Sequence, residues 1–443
     1  MKTLRFAIVA VAVAGSVSAF ATNARVESMG KNSTFIMDDI SIFDNPANIN
    51  LYPNFLIGEL GNYVHPGAKK VKIGENQDPW DPWFGGIFSL NLDASNSISI
   101  AGVLNRRDER LLKYFPARVT SLQGINLEGV DAAPAPVTNF DGFLGLNLDN
   151  KAFGLHIYVA HQEGLDDNGV ISPNAFASAL QLDAGTNIEI STNYSIEVAA
   201  GTARIQFGPT DWDFFDGDLF SLFGNIRLFS RLPAINGHLI PVATFRKMNM
   251  PGRDELDVGA GIGVDAAFDR GFFWLGLKGF YNDQSAGETW TKELEDGDIV
   301  VKFNDEGKKN AWGNERASLW QIGGTISFGI ERNIWWDWFV LRVGGQKTIA
   351  YADYSAIENG SNRNNVLCPV NIPGPLQCRR GGNYFVTNPV NDGTRDDHVG
   401  FGFGINVEEK LKVDFSVAED FMFRNPFQGE GRLISRVSAT YSF

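Results

Sequence analysis

The stretch Arg432 to Phe443, RLISRVSATYSF, puts Val437, Ala439, Tyr441 and Phe443 on one side of an extended chain and Arg436, Ser438, Thr440 and Ser442 on the other. A two-residue period with one apolar and one polar face is the mark of a β-strand. A terminal strand is ordered only when it is tied into a sheet. The alternation running to Phe443 therefore predicts a partner strand elsewhere in the chain.

The same period recurs upstream. VGFGFGINV (399–407) sets Val399, Phe401, Phe403, Ile405 and Val407 against glycines and Asn406. KLKVDFSV (410–417) sets Leu411, Val413, Phe415 and Val417 against Lys412, Asp414 and Ser416. ELDVGAGIGVDAAF (255–268), QLDAGTNIEI (181–190) and WQIGGTISFGI (320–330) behave alike. A soluble sandwich also alternates, so the connections decide. Tight turns at 92–97, 148–151, 191–194, 268–271 and 407–410 take turns with long polar insertions at about 106–137, 162–178, 283–315 and 352–395. Short turns on one side and long loops on the other are the habit of an outer-membrane barrel, with the long loops extracellular. Sixteen segments carry the pattern, or 14 if the weak candidates 219–231 and 237–248 are irregular. The first strand, near Asn54 to Asn62, is the expected partner of the last, because a barrel abolishes free edges.

Composition and the first residues agree. Lys2 and Arg5, the apolar run Phe6 to Gly15, and Ala19-Phe20-Ala21 read as a secretory signal peptide over residues 1–21. That leader holds two basic residues and no acid, leaving 36 Lys+Arg against 52 Asp+Glu and a net charge of −16. No basic stripe appears, which argues against a nucleic-acid partner. After the leader no apolar run reaches helix-spanning length, so a membrane form must be a β-barrel over about 54–443. Its surroundings would be the lipid bilayer and lipopolysaccharide of the bacterial outer membrane. The 54 aromatic residues exceed what a soluble core of this size uses, and they gather where strands meet loops: Trp335, Trp336 and Trp338 at a tight turn, Trp80, Trp83, Trp212, Phe214, Phe215, Phe421 and Phe423 beside long ones. These are expected to form the two interfacial girdles. The only cysteines, Cys368 and Cys378, lie in CPVNIPGPLQC within the longest insertion, and in an exported chain they are expected to form a loop disulfide.

Residues 22–53 do not alternate. They are too polar to cross lipid and too long for a tail, so they should either plug the lumen or lie under its periplasmic mouth. MDDISIFDNPANI, with Asp38, Asp39, Phe43, Asn45, Pro46 and Ala47 just ahead of the first strand, resembles the N-terminal element of FadL-type long-chain fatty acid transporters and the related PorV-like proteins. The resemblance implies a 14-stranded barrel with an N-terminal hatch whose motif residues are Phe43, Asn45, Pro46 and Ala47. The chain departs from the pattern at Ile42, where a small residue is usual, and at Asn48, where Gly is usual. By similar resemblance, the end at Tyr441 and Phe443 looks like the signal read by the barrel-assembly machinery.

No enzyme chemistry is legible. The five histidines, His65, His156, His161, His238 and His398, show no metal spacing, and no nucleophile motif such as GxSxG occurs. No cofactor is implied. The acidic stretches 211–218 and 391–397 lack the full calcium-loop spacing and read as solvated loops. Inward-facing Asp141, Asp183, Glu189, Asp257, Asp265, Lys278, Arg342 and Arg436 make the lumen polar with both signs of charge. The expected function is a plugged channel for hydrophobic or amphipathic small molecules. The alternatives are a scaffold barrel whose loops bind surface proteins, or a general diffusion porin.

Overall fold

The computed structural model describes residues 22–61, 82–112, 136, 138–163, 175–209, 221–250, 253–286, 290–295, 298–303, 316–357, 382–386, 397–408, 410–418 and 433–443. The leader, Cys368 and Cys378, and the central parts of the long insertions lie outside these residues. So do Trp80, Trp212, Phe214, Phe215, Phe421 and Phe423.

The strands are β1 (Phe55–Gly61), β2 (Trp83–Asn91), β3 (Asn96–Leu104), β4 (Thr138–Leu148), β5 (Lys151–Glu163), β6 (Ala175–Ser191), β7 (Tyr194–Pro209) and β8 (Ser221–Leu232). They continue as β9 (Gly237–Met250), β10 (Arg253–Phe268), β11 (Gly271–Ala286), β12 (Trp290–Glu295), β13 (Asp298–Phe303) and β14 (Arg316–Asn333). The last are β15 (Phe339–Ile357), β16 (Gly382–Val386), β17 (His398–Val407), β18 (Leu411–Val417) and β19 (Ile434–Ser442). Two short helices, α1 (Asn23–Ser28) and α2 (Glu109–Leu112), complete the described structure with a few 3-10 turns.

Sequential antiparallel pairing closes on itself. β1 pairs with β2 on one side and with β19 on the other, from Phe55↔Ser442 to Gly61↔Arg436, which is the partner the terminal alternation requires. β12 and β13 form a separate hairpin, and β16 adds to the upper part of β15 above β17. Counting β16 and β17 as one position, the barrel has 16 staves, not the 14 that the resemblance implies. The weak candidates are both real staves, β8 and β9, in register from Leu222↔Lys247 to Leu232↔Gly237. Their signal is weak because Pro241 sits within β9 without an N–H to donate, and the ladder skips Leu228 and Phe229, opposite Pro241 and Ile240, before resuming at Ser230↔Leu239.

The faces are those of a membrane barrel. Along β5, Phe153, Leu155, Ile157 and Val159 are exposed while Ala152, His156, Tyr158 and Ala160 are buried. Elsewhere Leu56, Phe88, Ile100, Leu144, Leu182, Ile262, Leu277, Ile326 and Ile349 point out, and Glu59, Asp141, Asp183, Glu197, Arg227 and Glu331 point in. An apolar belt of this extent is far beyond the few hundred Å² a soluble monomer exposes, and it marks a lipid-facing surface.

The two chain ends of the barrel meet at the short-turn rim, where the Phe443 amide donates to the Asn54 carbonyl at 3.1 Å. Left-handed residues Asp149, Asn236, Arg270, Trp335 and Glu408 sit in those short turns. Trp335, Trp336 and Trp338 are exposed there, the latter two stacked at 5.1 Å, as a girdle expects. Trp83 does not join a girdle: it points inward, buried, and donates its indole N–H to Glu59. The expected insertions also begin and end as strand. β11 runs on to Ala286, β15 to Ile357, and the hairpin β12–β13 occupies part of 283–315.

Candidate functional site

The polar N-terminal segment packs against the inward faces of the strands. α1 is capped by Thr22, whose hydroxyl accepts from the Arg25 amide at 3.3 Å, and it packs on β17, β18 and β19. Arg25 forks onto Glu331 of β14 at 2.8 and 2.7 Å and reaches Asp38 at 3.3 Å. Arg342 of β15, opposite Glu331 in the register, donates to it at 3.0 Å and forms an ion pair with Asp414 of β18 at 2.7 Å. Thr22 donates to the other Asp414 oxygen at 3.2 Å. Glu27 accepts from Ser416 and Ser435 and pairs with Arg436, while Glu59 gathers Asn23, Trp83, Arg436 and Ser438. Buried charges persist when each is paired in this way. Burial opposes the charge on Arg25, yet Glu331, Asp38 and Asp414 outweigh it and hold its pKa above the ordinary value. At Asp39, burial and the adjacent Asp38 work together and raise the carboxyl well above the carboxylate range, favouring its neutral form.

The motif Phe43, Asn45, Pro46 and Ala47 runs from the last residue of one 3-10 turn, Asp39–Phe43, into the start of the next, Pro46–Leu51. Asn45 caps the second: its Oδ1 accepts from the Ala47 amide at 3.0 Å and its Nδ2 donates to Asn187 of β6 at 2.6 Å. Pro46 takes the first helical position, where no N–H is needed. The seat is made by two inward glycines. A Cβ on Gly154 would lie 2.1 Å from the Pro46 carbonyl carbon, and one on Gly185 1.9 Å from Asn45 Oδ1. Both departures from the family pattern have local uses. Ile42 fills a buried cluster with Ile49, Phe55, Ile87 and Phe143, and Asn48 donates to the Ser41 hydroxyl at 2.9 Å and accepts from Asn187 at 2.6 Å.

Phe43 is held from above. The Arg106 guanidinium stacks 3.9 Å over its ring, and Trp83 and Phe143 meet it edge-on. Arg106 also forks onto Asp141 at 3.0 and 2.6 Å, and His156 bridges Asp141 and Asp183 while stacking on Phe143 at 4.3 Å. His156 and His161 take opposite faces, buried and exposed, as their spacing requires.

A cavity of about 410 Å³ lies above this floor. Ile40, Phe43, Asp44 and Thr34 of the N-terminal segment line it below, and Trp83, Phe223, Val242, Arg227 and Lys278 line its walls. Gly61, Trp83 and Arg436, also in its lining, stand near the strand ends that carry the insertions, so the cavity belongs to the long-loop end. It offers apolar contact, ring faces and paired charges together, the make-up of a site for a small amphipathic molecule. Among the described residues no group of His, Cys, Asp or Glu is arranged to hold a metal ion.

Of the inward residues read from the sequence, Asp141, Asp183, Arg342 and Arg436 join these networks, and Asp257 and Lys278 line the cavity. Asp265 instead binds His238 near the short-turn end. Asp414 stands on the polar face of its strand as the alternation requires, whereas Arg25, Glu59, Arg106, Arg110 and Glu331 are charges that the structure adds to the site. Two of these six carry a signal in the strands: Glu331 directly faces the opposite charge of Arg342, and Gly404 leaves room beside Asp414. The others carry neither.

No protein-family model matches the sequence, and no curated protein does. Among solved structures, CdiB from Escherichia coli matches at 9% identity and a TM-score of 0.40, over 88% of this chain and 63% of CdiB. The chain thus spans less than two thirds of that protein. A Pseudomonas aeruginosa FadL homologue matches at 12% identity and a TM-score of 0.33, over 95% of this chain and 98% of its own. The Pseudomonas putida toluene transporter TodX matches at 9% identity and a TM-score of 0.30, over 95% and 96%. Likeness at this level says nothing about activity, and the barrel stands on its own closed register. None of these likenesses assigns the chain to a family.

Proposed function

We propose that the protein is an outer-membrane channel for hydrophobic or amphipathic small molecules, with residues 22–53 as the hatch. One observation carries the reading: the cavity at the long-loop end has Ile40, Phe43 and Asp44 as its floor, so a solute held there lies directly against the N-terminal segment. Capture would use the ring faces of Phe43, Trp83 and Phe223; passage then needs the segment to shift. Asn45, Pro46 and Ala47 hold the segment on Gly154 and Gly185. The outward apolar belt meets the bilayer and lipopolysaccharide, Tyr441 and Phe443 serve recognition by the assembly machinery, and Cys368 and Cys378 staple the longest loop.

The test is uptake into cells of labelled fatty acids and monoaromatic compounds. Asn45→Ala, or deletion of residues 22–48, should change the uptake of at least one of them. Unaltered uptake across the whole set rules the channel out.

A further inference from the structure

The chain leaving β3 does not run outward into solvent. Asn105–Leu112 turns back over the lumen, and Leu111 is buried in a cluster of Tyr158, Ala177, Ala203, Ile205 and Met248 drawn from β5, β6, β7 and β9. Arg106 fastens the near end of this segment to Asp141 of β4. Between these anchors, Arg110 reaches down: Nη1 bonds Asp44 at 2.8 Å, and Nη2 bonds the Phe43 carbonyl and Asp108 at 3.1 Å each.

We propose that Asn105–Leu112 latches the N-terminal segment through Arg110. This rests on the reading of residues 22–53 as a hatch. The contacts are unequal in a telling way. The Arg106–Asp141 pair is buried, with side chains 10% and 0% exposed, and breaking it would strand a charge away from water. Arg110 and Asp44 are 32% and 28% exposed, and a pair so placed is weak. The link between loop and hatch is therefore the part that yields first. Asp44, Arg106, Asp108 and Arg110 all line the cavity, so whatever occupies it meets the latch directly. Asp44 is also held by the Ser33 hydroxyl at 3.1 Å and, through its carbonyl, by Asn225 at 2.9 Å, so release of Arg110 loosens the floor without unfolding it.

Ion conductance in planar bilayers reads the latch without any ligand, with heat-modifiable gel mobility reporting an intact barrel. Arg110→Glu, which faces Asp44 and Asp108 with a like charge, should raise the frequency of open events at least tenfold over the unaltered protein. Should that variant not fold, Arg110→Gln and Asp44→Asn are read singly and together. Each should open the channel more often, and the double variant should do no more than Arg110→Gln alone, because both remove one link. A folded Arg110→Glu barrel as quiet as the parent overturns the latch, and so do additive effects of the milder pair. Deletion of residues 22–48 in the same apparatus tests the hatch itself, so a conducting deletion beside a silent Arg110→Glu condemns the latch and spares the hatch.

Discussion

Arg25 sets both nitrogens of its fork on the two oxygens of Glu331, at 2.8 and 2.7 Å, joining the first helical turn of the N-terminal segment to the wall at β14. The residues are 306 positions apart, and both are buried. Glu331 keeps only Arg342 when Arg25 is lost. Arg25→Met should therefore weaken the seating of residues 22–52 by about 3–5 kcal/mol, the usual cost of removing one partner from a buried pair. Protease protection of the N-terminal segment in detergent measures it, with barrel mobility on gels as the control.

Gly154→Ala should displace the Pro46 turn, because the added Cβ would lie 2.1 Å from the Pro46 carbonyl carbon. Overpacking of this kind costs about 1–3 kcal/mol. Gly58→Ala is the matched control, its nearest neighbour standing at 3.9 Å. Thiol labelling of Ala47→Cys in each background should speed up with the first substitution and stay unchanged with the second.

Asp39 gives the seating a pH dependence of definite sign. Its carboxyl is held well above the ordinary value by burial and by Asp38, so the folded state binds the proton more tightly than the released segment does. That contribution is complete below the ordinary carboxylate value, about 3.9, and is lost as pH rises through the raised folded value. Hydrogen exchange over residues 22–52 should accelerate with rising pH more than the opening of the strands does, and Asp39→Asn should flatten the difference. An equal slope in the Asn variant would contradict the assignment.

Leu155 faces outward on β5, 56% exposed, with buried His156 beside it facing in. Leu155→Arg should destabilise the barrel in lipid by about 2–4 kcal/mol, as a charge near the bilayer midplane does. Leu155→Ala should cost less than the arginine. Urea unfolding in phospholipid vesicles gives both numbers, and an Arg variant as stable as the parent would deny that β5 touches lipid.

Much of the barrel is written in the chain because one alternation decides both faces of every stave: Tyr441 and Phe443 out, Ser438 and Thr440 in. β8 and β9 were the obscure pair, since Pro241 interrupts the local pattern and only the neighbouring ladders, such as Pro241↔Ile262 on β10, show that the strand continues. Phe43 and Asn45 were legible as a motif, but their seat was not. Gly154 and Gly185 reach it from different strands, and nothing local says that the missing side chains make room for Asn45 and Pro46. The same holds for Arg110, which reads as one more cation in a long insertion until Leu111 is seen buried inside the rim.

Closure of the lumen by the N-terminal segment is tested most directly by single-channel recording of the mature protein and of the same protein lacking residues 22–48, both reconstituted in planar lipid bilayers. The intact protein should stay closed for most of the record, and the shortened one should carry large, sustained currents. Equal currents from the two, whether both open or both silent, would contradict a hatch made of Phe43 to Ala47 and its flanking turns.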